Sequence, residues 1–169
     1  MKKILAIALS LATPIAFAQT CAAPGGPITA GGTTVSGTTC GTDAGFGGGI
    51  CNGSLAFDPT TTVAIYAVQV GATNSFHITV EDTAPYNAAI ALLGPAACGF
   101  AAPCVAANDA NAAGGGETLP EGGGNFPTLA AGTYYAAVFS TESGSAGCGQ
   151  FSMTVHPVLP VQLQSFTVG

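Results

Sequence analysis

The segment LAAGTYYAAVFS, residues 129–140, decides the fold class of this chain. A turn at Ala131-Gly132 precedes two tyrosines and a short apolar run, which is typical of a strand that begins at a turn. Side chains alternate along a strand, so Tyr134 and Tyr135 point to opposite faces and only one of them can be core. The other is either an exposed aromatic between neighbouring strands or a side chain that stacks on a sugar or a partner.

The rest of the chain repeats this strand pattern and lacks helix signals. Apolar residues alternate with polar ones in FHITV and FSMTV, whereas other runs are apolar throughout, as expected of central strands. No long segment keeps a helical period without Gly or Pro. Residues 71–74, GATN, are predicted to form a hairpin loop. Strands are predicted over residues 63–70, 76–80, 88–93, 133–139 and 151–155, which favours an antiparallel β-sandwich.

The order of these segments resembles the bacterial pre-peptidase C-terminal domain, a secreted β-sandwich found beside many exported enzymes. AIYAVQVGATNSFHITVED, NAAIALLG, VAANDAN, ETL, LAAGTYYAAVFS and GCGQFSMTVHP follow one another in the order of its strands and turns, with Asn108-Asp109 at the place of a turn. The positions that match its short motifs are Gly71, Asp82, 108–109, 131–135 and 149–151. The resemblance covers residues 63–157 and implies an all-β antiparallel sandwich of jelly-roll or Greek-key type. The family module is usually appended to a hydrolase, but residues 19–57 are too short to be an enzyme.

The N-terminus has the pattern of a secretory signal peptide. Lys2 and Lys3 precede an apolar run that ends in Ala16-Phe17-Ala18, a small-residue cleavage site. A membrane anchor is the alternative, but the run is short and contains Pro14. We therefore expect a cleaved signal peptide over 1–18, a Cys/Gly-rich segment over 19–57 that packs on the sandwich, the sandwich over 58–157, and a C-terminal strand or tail over 158–169.

The charge balance excludes several classes of partner. Lys2 and Lys3 are the only Lys or Arg residues, against eight Asp and Glu residues. Nucleic-acid and anionic-lipid binding both require cations, and none remain after residue 3. Protein or carbohydrate at the cell surface, or a second copy of the chain, remain as partners. The mature chain has no predicted membrane span, and its expected location is bacterial, either periplasmic or extracellular.

The six cysteines all lie after the signal peptide. An even number of cysteines in an exported chain predicts three disulfides and disfavours a zinc site, since no C-x-x-C pair is present. Several connectivities are open. Pairing of near neighbours predicts Cys40–Cys51, Cys98–Cys104 and Cys21–Cys148. Such bridges would compensate for a core rich in Gly and Ala, whose small side chains bury little apolar area.

Catalysis is not predicted, because the chain lacks a recognisable catalytic motif. Its histidines are His77 and His156, each on the polar face of an alternating strand. No nucleophile elbow or phosphate-binding loop accompanies them. The two histidines approach each other if their strands are neighbours, but two His alone make a poor metal site.

Calcium is the one cofactor that the sequence suggests. Asp82 ends a strand, Asn108 and Asp109 lie in a turn, and Glu117 follows shortly after. Oxygen ligands on loops are what Ca²⁺ requires. The resemblance adds to this, since some members of the family bind calcium near such loops. Ordinary Asx-turns are the alternative for the Asn-Asp pair.

The tail VLPVQLQSFTVG, residues 158–169, is a candidate pairing element. Pro157 and Pro160 break continuous pairing with the preceding strand. The apolar residues that follow must pack on their own sandwich or extend a neighbour's sheet. The partner-binding candidates are therefore Tyr134, Tyr135, Val161, Leu163 and Phe166.

The sequence thus predicts a secreted, non-catalytic β-sandwich that acts as a binding or structural module at or outside the bacterial cell surface. The alternative is a subunit of an extracellular assembly, a filament or surface layer, joined through its C-terminal strand. A small hydrolase is a third, less favoured class.

Overall fold

The computed structural model describes most of the chain between residues 19 and 157. The described ranges are 19–29, 32–41, 50–51, 55–56, 62–71, 75–95, 97–99, 102–127 and 129–157. The predictions of a signal peptide over 1–18 and of a pairing tail over 158–169 lie outside these ranges. No helix in the described ranges has both the length and the hydropathy to cross a bilayer.

The described residues form strands with one short 3₁₀ turn at Gly144–Ala146. The strands are β1 (Gly25–Thr29), β2 (Thr33–Thr38), β3 (Ile50–Cys51), β4 (Leu55–Ala56), β5 (Ala64–Val70), β6 (Phe76–Asp82), β7 (Ala89–Leu93), β8 (Cys104–Asn108), β9 (Glu117–Leu119), β10 (Gly132–Phe139) and β11 (Gln150–Pro157).

Two sheets pack face to face. Sheet A has the order β1-β5-β10-β7-β8, sheet B has the order β2-β11-β6-β9, and β3 and β4 form a separate ribbon. Apart from the parallel pair β1–β5, neighbouring strands in both sheets are antiparallel. The predicted all-β antiparallel sandwich is confirmed. Residues 19–57, predicted to pack on the sandwich, supply an edge strand to each sheet.

The prediction that residues 71–74 form a hairpin loop between β5 and β6 is wrong. Strand β5 pairs with β1 and β10 in sheet A, whereas β6 pairs with β11 and β9 in sheet B. Residues 71–74 therefore connect the two layers of the sandwich. A turn signal between two strand patterns marks a change of chain direction, but it does not specify whether the strands pair or lie in opposite sheets.

The main core fills the space between the sheets. Alternate residues of β6, β10 and β11 point into it, together with side chains of β5 and β7. Tyr134 belongs to this core with 2% of its surface exposed, and its hydroxyl donates to the carbonyl of Ala130 at 3.0 Å. The prediction that one of the two tyrosines is core is thereby confirmed. The inward residues of the three strands are Phe76, Ile78, Val80, Tyr134, Ala136, Val138, Phe151, Met153 and Val155.

A second apolar cluster lies on the opposite face of sheet A. It contains the remaining alternate residues of β5, β7 and β10, with Cys51 packed against them. Tyr135 borders this cluster and is partly buried. Sheet A is thus covered on both faces, which explains the uniformly apolar runs predicted to be central strands. The buried members of the cluster are Cys51, Val63, Ile65, Ala89, Ala91, Leu93, Ala137 and Phe139.

All six cysteines form disulfides, as predicted, but the predicted pairing is wrong. The bridges are Cys21–Cys98, Cys40–Cys148 and Cys51–Cys104. Near neighbours in sequence do not pair because the strands bring distant segments together. Thr38 lies opposite Gln150 in the β2–β11 ladder, which places Cys40 next to Cys148. The other two bridges lie at the second cluster, to which Cys51 belongs and against which Cys21, Cys98 and Cys104 pack.

Tyr86 ties the β6–β7 connection to both sheets. It is 1% exposed, and its hydroxyl donates to the carbonyl of Phe139 in β10 at 2.9 Å. Its ring packs directly on Gly149, next to β11, where an added Cβ would collide with the tyrosine side chain. Burial raises the pKa of the Tyr86 hydroxyl, so it is a protonated donor at physiological pH.

We expect Tyr86→Phe to destabilise the protein by about 1–3 kcal/mol, because it removes a buried hydrogen bond and leaves the Phe139 carbonyl with one donor fewer. Urea unfolding measures the change. Tyr135→Phe is the matched control, since the Tyr135 hydroxyl makes no hydrogen bond with another described residue, and it should change stability far less. Equal effects of the two substitutions would contradict the assigned role of Tyr86.

Candidate functional site

The predicted calcium ligands lie in and around the loop between β8 and β9, which Asp82 organises. The Asp82 Oδ2 atom accepts the backbone N–H groups of Ala88 at 3.0 Å and Gly114 at 3.2 Å. The Oδ1 atom accepts the N–H of Gly116 at 2.9 Å. Asp82 therefore acts as an acceptor for three backbone donors on two segments.

Glu117 begins β9 and points into the protein, with 2% of its surface exposed. Its Oε1 atom accepts the N–H of Asn111 at 2.7 Å, whereas Oε2 is buried and has no hydrogen-bond partner in the described part of the chain. Burial raises the pKa of this carboxyl. The N–H groups of Asn111 and Ala110 oppose that shift, and the nearby charges of Asp109 and Asp82 add to it.

The remaining two predicted ligands also have local partners. The Asn108 Nδ2 group donates to the carbonyl of Thr118 at 2.9 Å, and the Thr141 hydroxyl donates to Asp109 Oδ2. The four residues are thus neighbours whose polar atoms largely hold the loop in place. Within the described ranges, no three His, Cys, Asp or Glu residues form a group that could hold a metal ion. Calcium binding stays a prediction.

The outer face of sheet B is the second candidate region, and we call it the hydroxyl face. Its side chains alternate with the core residues of the same strands, and all are exposed or half-buried. Thr34, Thr154, Thr79 and Thr118 form one row across all four strands. The face consists of Thr34, Ser36, Thr38, His77, Thr79, Glu81, Thr118, Gln150, Ser152, Thr154 and His156, with no large apolar side chain and one carboxylate.

Two stacked histidines occupy one end of the hydroxyl face. His77 lies directly opposite His156 in the β6–β11 ladder, and their ring centroids are 4.4 Å apart with the planes 9° from parallel. The approach predicted for neighbouring strands is confirmed. His77 Nδ1 lies 2.9 Å from Asn125 Oδ1, and His156 Nε2 lies 2.8 Å from Thr79 Oγ1. Burial lowers the pKa of His156, His77 lowers it further, and Glu81 opposes both.

A shallow groove crosses the hydroxyl face near its other end. Its volume is about 260 Å³, and its lining includes Ser36, Glu81, Gln150 and Ser152. Ser36, Ser152 and Glu81 lie side by side on β2, β11 and β6. None of these four side chains forms a hydrogen bond with another described residue. These four side chains offer two hydroxyls, one amide and one carboxylate to a ligand, and Gly37, Asp82, Thr83 and Phe151 complete the lining.

The other predicted partner-binding residues divide between the described and the remaining parts of the chain. Tyr134 is in the core, so Tyr135 is the member of the pair that can reach a partner. Val161, Leu163 and Phe166 lie outside the described residues.

The hydroxyl face was not predicted from the sequence. The Thr and Ser residues that alternate with apolar ones in FSMTV and TTVSGT were the signal that could have indicated it.

Comparison with known proteins finds similar solved structures only at low identity. No protein-family model matches the chain, and no curated protein matches it. The pre-peptidase C-terminal domain of a collagenase from Bacillus anthracis is 17% identical, with a TM-score of 0.48 over 76% of this chain and 91% of that one. A periplasmic lysozyme inhibitor of g-type lysozyme from Aeromonas hydrophila is 15% identical, with a TM-score of 0.45 over 76% and 87% of the two chains. The first is a domain of the kind that residues 63–157 resemble.

We expect Glu117 to make stability depend on pH. Its pKa is raised in the folded state, so the folded protein binds this proton more tightly than the unfolded chain does. The protonated Glu117 therefore stabilises the folded state. This contribution to the free energy of unfolding is fully present below the unfolded Glu117 pKa of 4.5 and is lost as pH rises through the folded pKa. In chelator-containing buffer, the stability of wild type relative to Glu117→Gln should fall as pH rises from 4 towards neutrality. The exposed Glu121→Gln is the control, and a constant difference for Glu117→Gln would contradict the expectation.

If Asp82, Asn108, Asp109 and Glu117 hold calcium, millimolar Ca²⁺ raises the melting temperature because it binds the folded state. A chelator should reverse the rise, and Asp109→Ala should abolish it while the control Glu142→Ala leaves it intact. The measurement is thermal unfolding with and without Ca²⁺. An unchanged melting temperature at saturating Ca²⁺ would contradict calcium binding. The four residues would then serve only in the loop contacts described above.

Proposed function

We propose that this protein is an extracellular or periplasmic, non-catalytic β-sandwich that binds a partner through its hydroxyl face. The observation that carries the proposal is the difference between the two outer faces of the sandwich. Among the described residues, Cys21, Cys51 and Cys98, joined in the bridges Cys21–Cys98 and Cys51–Cys104, pack over the outer face of sheet A. The outer face of sheet B instead presents polar side chains, including several without partners among the described residues.

The arrangement of titratable groups supports a non-catalytic role. The Thr79 hydroxyl and His156 are within hydrogen-bond distance, but no carboxylate hydrogen-bonds the His156 ring in the described part of the chain. A nucleophile–base pair normally needs such an orienting group. Glycoside hydrolysis requires two carboxyl groups across the substrate. The groove offers Glu81, whereas Asp82 is engaged by three backbone N–H groups.

The disulfides and the charge support a location outside the cytoplasm. Three disulfides form and persist in an oxidising compartment. The chain from residue 19 to 157 carries no Lys or Arg, which is incompatible with phosphate-rich polymers as partners.

The free edge of β2 favours a second candidate function, a subunit of an extracellular assembly. Within the described ranges β2 pairs with β11 on one side only, and its sequence TTVSGT contains neither Pro nor a charge. Edge strands without such features add further strands readily. The apolar tail of another copy, residues 158–169, is the proposed donor.

Size-exclusion chromatography of the exported protein separates the two functions. We expect a monomer that co-sediments with washed cells of the organism that produces it. Thr154→Arg, at the centre of the hydroxyl face, should reduce co-sedimentation, whereas Gln69→Arg, at the one exposed position of the buried strand β5 in sheet A, should not. A polymer that dissociates on deletion of residues 158–169 would favour assembly instead. Turnover of ester, peptide or glycoside substrates that disappears in His156→Ala would overturn the non-catalytic assignment.

A further inference from the structure

We infer that the groove on the hydroxyl face binds a neutral polysaccharide, with Glu81, Gln150, Ser36 and Ser152 as its hydrogen-bonding groups. This inference rests on the proposed function and assigns a ligand class to the same face. The groove is close in size to the small end of ordinary ligand pockets. It therefore fits a short stretch of a long molecule that continues beyond it.

The chemistry of the groove matches closely spaced sugar hydroxyls. A carboxylate accepts hydrogen bonds from two hydroxyls, a primary amide both donates and accepts, and a serine hydroxyl does the same. Glu81, Gln150 and Ser152 offer these three functions on two neighbouring strands. Because their side chains have no hydrogen-bond partner among the described residues, a ligand does not have to break internal contacts to reach them.

The hydroxyl face lacks what the competing classes of partner require. Protein interfaces depend on aromatic or aliphatic anchors that a partner can reach, whereas Phe151, the one large apolar residue in the groove lining, is only 4% exposed. Anionic polymers require Lys or Arg, which are absent after residue 3, and Glu81 would repel them. A neutral polymer that carries many hydroxyls meets neither obstacle.

The extent of the face favours a polymer over a single sugar. Polar side chains continue from Gln150 to His156 along β11, which is about 20 Å of strand at the usual rise per residue. The Thr34–Thr154–Thr79–Thr118 row spans four strands, about 14 Å. A hydrogen bond of 2.9 Å joins the hydroxyls of Thr34 and Thr154, so these two side chains are already held in place before a ligand binds. Repeated weak contacts along a chain add affinity without a deep pocket.

Affinity electrophoresis of the full exported protein tests the inference. Native gels contain one neutral polysaccharide each, a mixed-linkage β-glucan, a soluble starch or a galactomannan, and a parallel gel contains anionic polygalacturonate. We expect at least one neutral polymer to retard the protein and polygalacturonate not to. Glu81→Gln should weaken the apparent affinity about tenfold, since it removes charge-assisted hydrogen bonds. Ser152→Arg should abolish retardation by filling the groove.

Matched variants keep the test specific. Glu142→Gln neutralises another exposed carboxylate, and Gln69→Arg adds the same cation on the other sheet. Each changes mobility through its charge, so retardation is measured against a polymer-free gel, and both variants should then be retarded as much as wild type. Urea unfolding confirms that each variant is folded. If Ser152→Arg does not fold, the conservative Glu81→Gln still tests the inference.

Three results would overturn the inference. They are no retardation by any of the neutral polymers, equal retardation by polygalacturonate, or retardation that Glu81→Gln and Ser152→Arg leave unchanged. If one of them occurs while co-sedimentation with cells still depends on Thr154, the hydroxyl face binds a different class of partner and the proposed function stands. If co-sedimentation also fails, the proposed function fails with the inference.

Discussion

The two-sided burial of sheet A is the constraint on which the rest of this structure depends. Strand β10 lies at the centre of that sheet, between β5 and β7. Tyr134, Ala136 and Val138 face the core between the sheets, whereas Ala137 and Phe139 face the second cluster. A strand covered on both faces must be apolar throughout, and small residues such as Ala let the covering layers approach closely. Sheet A therefore needs cover on its outer face, and among the described residues Cys21, Cys51 and Cys98 supply part of it through two disulfides.

This arrangement leaves the two sheets with different roles. Sheet A has both faces occupied by packing, so its side chains contribute to stability. Sheet B uses one face for the same core and keeps the other for polar side chains. The groove lies on this second face, on strands whose core-facing residues Phe151 and Met153 are fully packed. A binding surface built on such rigid strands loses little conformational freedom when a ligand binds.

The absence of Lys and Arg after residue 3 determines how the carboxylates are satisfied. Asp82 and Glu117 have no basic side chain to pair with, and they accept backbone N–H groups of the β8–β9 loop instead. Such bonds to ionised groups are stronger than neutral ones, which suits a connection rich in glycine. The same residues that suggested a cation site from their composition thus stabilise a loop, and the buried Oε2 of Glu117 is the atom that this loop leaves without a partner.

Local patterns were sufficient to predict the five long strands β5, β6, β7, β10 and β11, the sandwich class and the number of disulfides, because alternation and cysteine count are properties of short segments and of composition. The short strands β3, β4 and β9, the edge strands β1 and β2, and β8 were not predicted. The same alternation placed one tyrosine of the 134–135 pair in the core and both histidines on a polar face. Sequence could not show that β5 and β6 lie in different sheets, that Cys40 pairs with Cys148, or that Ser36, Ser152 and Glu81 line one groove. Those facts depend on which distant strands become neighbours, and that is decided by how all the apolar faces are buried together.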